Sequence, residues 1–537
     1  MLRSFLIVAL AGLLGSCSSG GGGWRERPHE LPEALLPAEA AVTCPPAGDG
    51  DGRAPISVAM TGDVLPSRAP LPASEAERHV FAGLYETLVR LDCDGAARPG
   101  LARRWTAYDG GRVWRFELRP AARFWDGTPA DATAVIASWR RSVALCRLRG
   151  EPDPFLRFDP RGDAVAILDR DELLIRLRTP SDNLPLDLAH PALAVVGDSD
   201  GRGWLAGSGP CRPEGSPRGG ELTLLPAAEH PRGPSWPRLE ILLIGEGTDA
   251  RDLLDTGLHA VVDRSRRVHD YYAGRRLVDV LELPWDRWYY LIAPEADRRW
   301  TTGWEQRVLA REIGDALAAP ADFSAYEPPP GLCTTLRAAT PSLVPPPLPE
   351  TEDRPASDEN LILWPADDPE AGALAERLAT VAARPIRDDD IPGRGPLARP
   401  PEPSPGDRPT ALAVDPSALG AHVQQDPIGA AVVPWPRRFA RPCDELARLL
   451  SLAAWLQAIA LDGDAATEAV PPGARPAQFT DAAAPGSALA AMRRLERERV
   501  VQPLVRTRAF VAARPSIEGW DWNLDGSLRL ERLGRQD

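Results

Sequence analysis

The chain has 537 residues and a formal net charge of −14. That length is too great for one core and predicts two or three domains, and the acidic balance excludes a nucleic-acid binder, whose phosphate contacts need a basic face. All 62 basic residues are arginine, beside 58 prolines, a compositional bias that says little about any single arginine.

The first residues, "MLRSFLIVALAGLLGSCSSGGGGW", place Arg3 before an apolar run from Phe5 to Leu14. The run is too short to span a bilayer and fits the apolar region of an export signal. It ends in Leu14-Gly15-Ser16-Cys17, which is similar to a bacterial lipobox. We therefore expect residues 1–17 to be a lipoprotein signal ending at a lipidated Cys17, and 18–52 to be a Gly/Pro-rich tether. The expected location is the cell envelope, outside the cytoplasm and anchored to a membrane by lipid.

Six further cysteines stand at 44, 93, 146, 211, 333 and 443. An even number in an oxidising compartment allows three disulfides, in any of about fifteen connectivities. We expect Cys93 to pair with Cys146. No CxxC occurs and the seven histidines are scattered, so neither a metal site nor a cofactor is expected.

"ISVAM" (56–60) reads as a buried strand, and "RHVFAGLYETLVRLD" (78–92) as a helix running into a strand. "RVWRFELR" (112–119) sets Trp114, Phe116 and Leu118 against charged neighbours, a strand with one wet face. After a turn at Asp126-Gly127, Thr128 is expected as helix N-cap with Pro129 behind it; Val135, Ile136, Trp139 and Val143 share one helical face. "AVAILDRDELLIRLRTP" (164–180) gives two strands, and "LEILLIGEGTDARDLLDTGLHAVVD" (239–263) strand, helix and strand. "LVDVLELPWDRWYYLIAP" (277–294) is a long extended run, 303–317 an amphipathic helix, and 359–386 strand then helix. "TALAVDP" and "GAAVVPW" are short strands, and the chain closes on a helix and strands.

The segments "VFAGLYETLVRLD", "PGLARRWTAYDGGRVWRFELRPAARFWDGTPADATAVIASWRR" and "GSGP" (207–210) resemble, in order, successive signatures of the family 5 extracellular solute-binding proteins. These include the dipeptide-, oligopeptide- and nickel-binding lipoproteins of ABC importers. The resemblance implies an α/β, two-lobed periplasmic-binding-protein-like fold (type II, cluster C-like). Mixed sheets are flanked by helices, with an extra hairpin-rich subdomain in lobe 1. Lobe 1 would hold 53–285, including the subdomain at about 66–200, and regain 500–537, with 286–499 forming lobe 2. It implies a ligand in the inter-lobe cleft, enclosed by hinge motion, and partnership with permease and ATPase subunits. A monomer is expected.

Peptide-binding relatives carry a lobe 2 segment resembling W-x-x-D-Y-x-D-P, whose carboxylate takes the ligand's amino terminus. Here the stretch is "WPRRFARP", from Trp435 through Arg437, Arg438 and Phe439 to Pro442, with Arg438 and Arg441 at the two Asp positions. A guanidinium cannot accept from an ammonium. Two readings stay open: an anionic ligand group at Arg437 or Arg438, with Trp435 and Phe439 beside it, or arginines of a solvated loop in an arginine-rich chain. Trp288 and Tyr290, one strand face at the lobe junction, are further candidates for stacking on ligand, though general burial tendencies favour core packing for them.

Three classes compete: an importer's binding lipoprotein, a non-transporting lipoprotein that keeps the frame for interaction or sensing, and an exported hydrolase. "GSGP" lacks the G-x-S-x-G elbow, Asp187 and His190 read as a surface pair, and "RDDDIPG" (387–393) reads as a solvated loop. No P-loop occurs. The chain is not expected to be an enzyme.

Overall fold

The computed structural model describes residues 54–292 with short gaps, 321–322, 361–382 apart from 367, 501–535, and parts of 410–449. The strand Ile56–Thr61 lies at the centre of a seven-stranded sheet. Its neighbours are Leu239–Ile244 and Ala260–Asp263, both parallel to it. The order across the sheet is Cys211–Pro213, Glu221–Pro226, Leu239–Ile244, Ile56–Thr61, Ala260–Asp263, Phe510–Ala513, Asp279–Glu282. Strands buried on both faces read as continuous apolar runs, which is why "ISVAM" does not alternate. Ile56, Val58 and Met60 enter one core with the helix Glu75–Leu84, while Ala59, Val261 and Phe510 enter another with Tyr272.

The hairpin of the long signature opens a four-stranded antiparallel sheet, Ala102–Tyr108, Val113–Leu118, Glu172–Arg176 and Val165–Asp169. Trp114, Phe116 and Leu118 are buried as alternation requires, and the helix Ala132–Leu148 lays Val135, Trp139 and Val143 over them. Its N-cap is Asp131, whose carboxylate accepts from Thr133 N and Ala134 N, and not Thr128. The Thr128 carbonyl is taken by Phe124 N (2.9 Å) to close the turn, and its hydroxyl bonds Asp126 Oδ1 at 2.6 Å. The helix therefore begins only after this turn is complete.

The run 277–294 supplies two strands in different sheets. Asp279–Glu282 edges the first sheet, whereas Arg287–Ile292 lies inside a six-stranded one. The order there is Ala321–Asp322, Val501–Thr507, Arg287–Ile292, Ala430–Pro436, Leu361–Pro365, Thr410–Val414. The helix Pro369–Ala382 covers one face, burying Leu374 and Leu378 on Tyr289 and Val432.

Two expectations need correction. The helix expected between strands 239–244 and 260–263 is only a 3₁₀ turn, Leu253–Thr256, stopped by Gly257 with φ +108°. Cys93 is disulfide-bonded, but not to Cys146. Cys93 lies in the core under the seven-stranded sheet, while Cys146 packs with Leu71 and Ala192 in a separate cluster. Cys17, Cys44, Cys333 and Cys443, the export segment, the helix expected at 303–317 and the acidic run at 387–393 lie outside the described residues. No helix among the described residues is long and apolar enough to cross a membrane.

Candidate functional site between the two sheets

The two sheets share a two-stranded ribbon. Glu282 pairs with Phe510 in the first sheet and Arg287 with Thr507 in the second. Between them Leu283 N donates to Ala509 O at 3.0 Å. The linking residues are stiffened by Trp285, over whose ring stand Arg506 (4.8 Å) and Arg508 (4.3 Å). The chain thus passes between lobes twice, side by side, the connection a hinge requires.

Trp288 and Trp435 stand directly opposite each other in the antiparallel pair of Arg287–Ile292 with Ala430–Pro436, and Tyr290 lies two residues along, opposite Val433. These three aromatic side chains share the sheet face turned away from the helix Pro369–Ala382, and all are buried. Tyr289 points the other way, as pleating demands. The guanidinium of Arg448 lies 4.1 Å from the Trp435 ring centroid and donates to Pro436 O at 3.0 Å. Its Nη2 is 3.7 Å from Glu151 Oε2, on the segment that follows the signature helix. One arginine therefore joins the aromatic face of the second lobe to the hairpin subdomain of the first. Arg437, Arg438 and Phe439 lie outside the described residues.

Behind the ribbon lies a buried ionic network that sequence reading missed. Arg78 binds Glu75 and Asp286, and Arg264 binds Asp286 and, through Nε, Glu75 Oε2 at 2.7 Å. Arg264 Nη1 also donates to Thr507 Oγ1 at 3.3 Å. On the second-lobe side Tyr289 Oη donates to Glu370 Oε2 at 2.7 Å, and Arg287 to Asp368 Oδ2 at 3.1 Å. Burial pushes the Glu75 carboxyl up, but Arg264, Arg78 and His79 outweigh it and hold it well below the usual carboxylate range. Burial, with Asp368 adding to it, raises Glu370 instead. The one sequence signal available was Glu75, Arg78 and His79 at helical spacing in a helix otherwise bound for the core.

The remaining motifs are structural. In "GSGP", Gly209 N donates to Leu84 O at 3.0 Å, and a Cβ on Gly209 would stand 2.3 Å from Gly83 O. The motif is a glycine seam against the end of the helix Glu75–Leu84 and not a nucleophile turn. Asp187 and His190 are buried, contrary to the surface pair expected. Asp187 pairs with Arg157, and His190 Nδ1 accepts from Ala192 N at 3.1 Å, so both are spent on local structure. Among the described residues no three His, Cys, Asp or Glu side chains gather as a metal site.

Two α/β sheets joined by a shared ribbon are the architecture of the two-lobed periplasmic binding proteins. Solved structures of that class match nearly end to end. The murein tripeptide binding protein MppA of Escherichia coli matches with TM-score 0.62 at 14% identity, over 90% of this chain and 99% of that one. NikA from Brucella suis, in complex with Fe(III)-EDTA, gives 0.61 at 14% identity, over 89% and 100%. At such identity the likeness speaks for the fold alone.

Sequence carries the identification further. Residues 96–269 match the bacterial extracellular solute-binding proteins, family 5. The probable D,D-dipeptide-binding periplasmic protein DdpA of E. coli is 28% identical over 191 residues, 32% of this chain and 36% of that protein. The periplasmic oligopeptide-binding protein OppA of E. coli is 42% identical over 67 residues, 12% of each chain. The matched stretches thus span about a third of one relative and an eighth of the other. Residues 96–269 thus follow the family 5 solute-binding proteins in sequence, and the likeness in fold runs over nine-tenths of the chain. The family consists of binders, not enzymes.

Proposed function

We propose that the protein is the extracytoplasmic binding component of an ABC-type importer, tethered through a lipidated Cys17. It takes a peptide-like or other small solute between its lobes and presents it to a membrane permease. The observation that carries this reading is the shared ribbon with Trp288 and Trp435 paired beside it. A hinge next to an aromatic face can enclose and desolvate a small guest. The names of the relatives support it: DdpA and OppA are described as binding dipeptides and oligopeptides, and a Sinorhizobium fredii relative as part of a peptide ABC transporter.

Arg438 stands at the first Asp position of the peptide-binding pattern, next to Arg437, and the proposed solute presents a carboxylate or phosphate to Arg437 or Arg438, flanked by Trp435 and Phe439. Thermal-shift measurements with free-amine peptides, N-blocked peptides, anionic solutes, sugars and metal complexes test both parts. A true ligand at a hundredfold excess over Kd stabilises by about 2.7 kcal/mol. Tight binding that requires a free amine would refute the anion subsite; silence across all classes would refute solute binding.

A further inference from the structure

A cavity of about 90 Å³ lies within the first lobe, where the strand Val89–Leu91 meets the C-terminal turn 523–529. Its walls include Arg90, Asn523 and Arg529. In Arg90 the Nε and Nη1 atoms, in Arg529 the Nε and Nη2 atoms, and in Asn523 the Oδ1 atom are shielded from solvent and meet no hydrogen-bond partner among the described residues. Arg529 is only 6% exposed. Two carboxylates in the same wall are engaged elsewhere. Glu86 is held by Arg119 (2.6 Å) and His230 (3.1 Å), and Asp525 Oδ1 accepts from Ser527 N (3.0 Å) and Oγ (2.6 Å). Asp521 engages only Nη1 of Arg529.

Buried guanidinium donors without acceptors are rare in native proteins and usually point to a missing water or ion. The cavity is several times larger than one water needs, yet far below the volume of a drug-sized site. Planar guanidinium edges suit a planar carboxylate. Glu86, Asp525 and Glu531 in the wall disfavour a doubly charged anion. The Asn523 acceptor asks for a donor on the same solute. We propose that this cavity binds a small monocarboxylate carrying a hydrogen-bond donor, of the size of glycine, held by Arg90 and Arg529. Each of these residues belongs to the first lobe, so the site is independent of the inter-lobe reading.

The test is calorimetric and thermal-shift titration of the full chain with glycine and with acetate, against sodium chloride at equal ionic strength. Saturable stabilisation by glycine, stronger than by acetate, is expected. Arg90→Gln, at a partly exposed position, should weaken it about tenfold or more, and Trp435→Ala should leave it unchanged. Equal behaviour in glycine and chloride would overturn the proposal. So would a glycine response that survives Arg90→Gln, or one abolished by Trp435→Ala, which would move the carboxylate into the inter-lobe cleft. Because peptide binding is scored separately with Trp435→Ala, either reading can fail alone.

Discussion

Tyr289 Oη donates to Glu370 Oε2 at 2.7 Å, fastening the shared ribbon to the first turn of the helix Pro369–Ala382. The same hydroxyl lies 3.2 Å from Oδ1 of the buried Asp368, so its one proton sits between two carboxylates. Tyr289→Phe leaves the ring in its core and removes only the donor. The expected loss is about 1–3 kcal/mol, the cost of stranding a buried polar partner. Urea unfolding checks it; a change below about 0.5 kcal/mol would mean that Arg287 on Asp368 and Thr507 on Glu370 suffice without the phenol.

His79 makes stability depend on pH. Its Nδ1 accepts from Leu528 N at 3.0 Å, so the neutral ring carries its proton on Nε2 and donates to Glu75 Oε1 at 2.9 Å. Burial is the main cause that keeps His79 below the ordinary histidine range. The unfolded chain therefore binds this proton at a higher pH than the folded one, and stability rises with pH through that window. Stability from this group should be complete above about pH 6.5 and fall as acid is added below it. Denaturation at stepped pH in wild type and His79→Gln, with nitrogen NMR of the ring, reads the slope and the tautomer. A wild-type slope identical to the variant's would contradict it.

Gly209 tolerates no side chain. The Cβ of Gly209→Ala would stand 2.3 Å from Gly83 O and 2.6 Å from the Leu84 carbonyl carbon. Backbone on both sides cannot yield as a flexible side chain would, so a loss above about 2 kcal/mol is expected. Gly215→Ala, where nothing stands within 4 Å of the added carbon, is the control and should change melting little.

Arg448 and Glu151 join the two lobes at 3.7 Å. Glu151→Gln removes the charge across the gap while Arg448 keeps its place on Trp435 and Pro436 O. The solute-free protein should then sample more open forms, seen as a larger radius of gyration by small-angle scattering, with a melting change of about 1 kcal/mol or less for so exposed a partner. An unchanged scattering curve would show that the ribbon alone sets the opening.

The long signature was readable because its order is local: Trp114, Phe116 and Leu118 alternate, and Val135, Trp139 and Val143 recur at helical spacing. The helix start was misread, since Asp131 and Thr128 are both good caps and only the hydrogen bond from Phe124 to the Thr128 carbonyl decides between them. Likewise 277–294 reads as one extended run. That it serves two sheets depends on Phe510 and Thr507, more than two hundred residues later.

By itself the sequence determined the signature hairpin and the helix laid over it, and that Trp288 and Tyr290 share a face, since these depend on periods of two and 3.6 residues along one chain. Only the tertiary structure decided that Trp435 faces Trp288, that Arg448 reaches Glu151, and that Glu75, Arg264 and Asp286 form one buried network. Their partners are separated by 22 to 297 positions, by subtraction of their residue numbers. Electrostatic and hydrogen-bond energies depend on distance in space, which a linear pattern of residues does not contain.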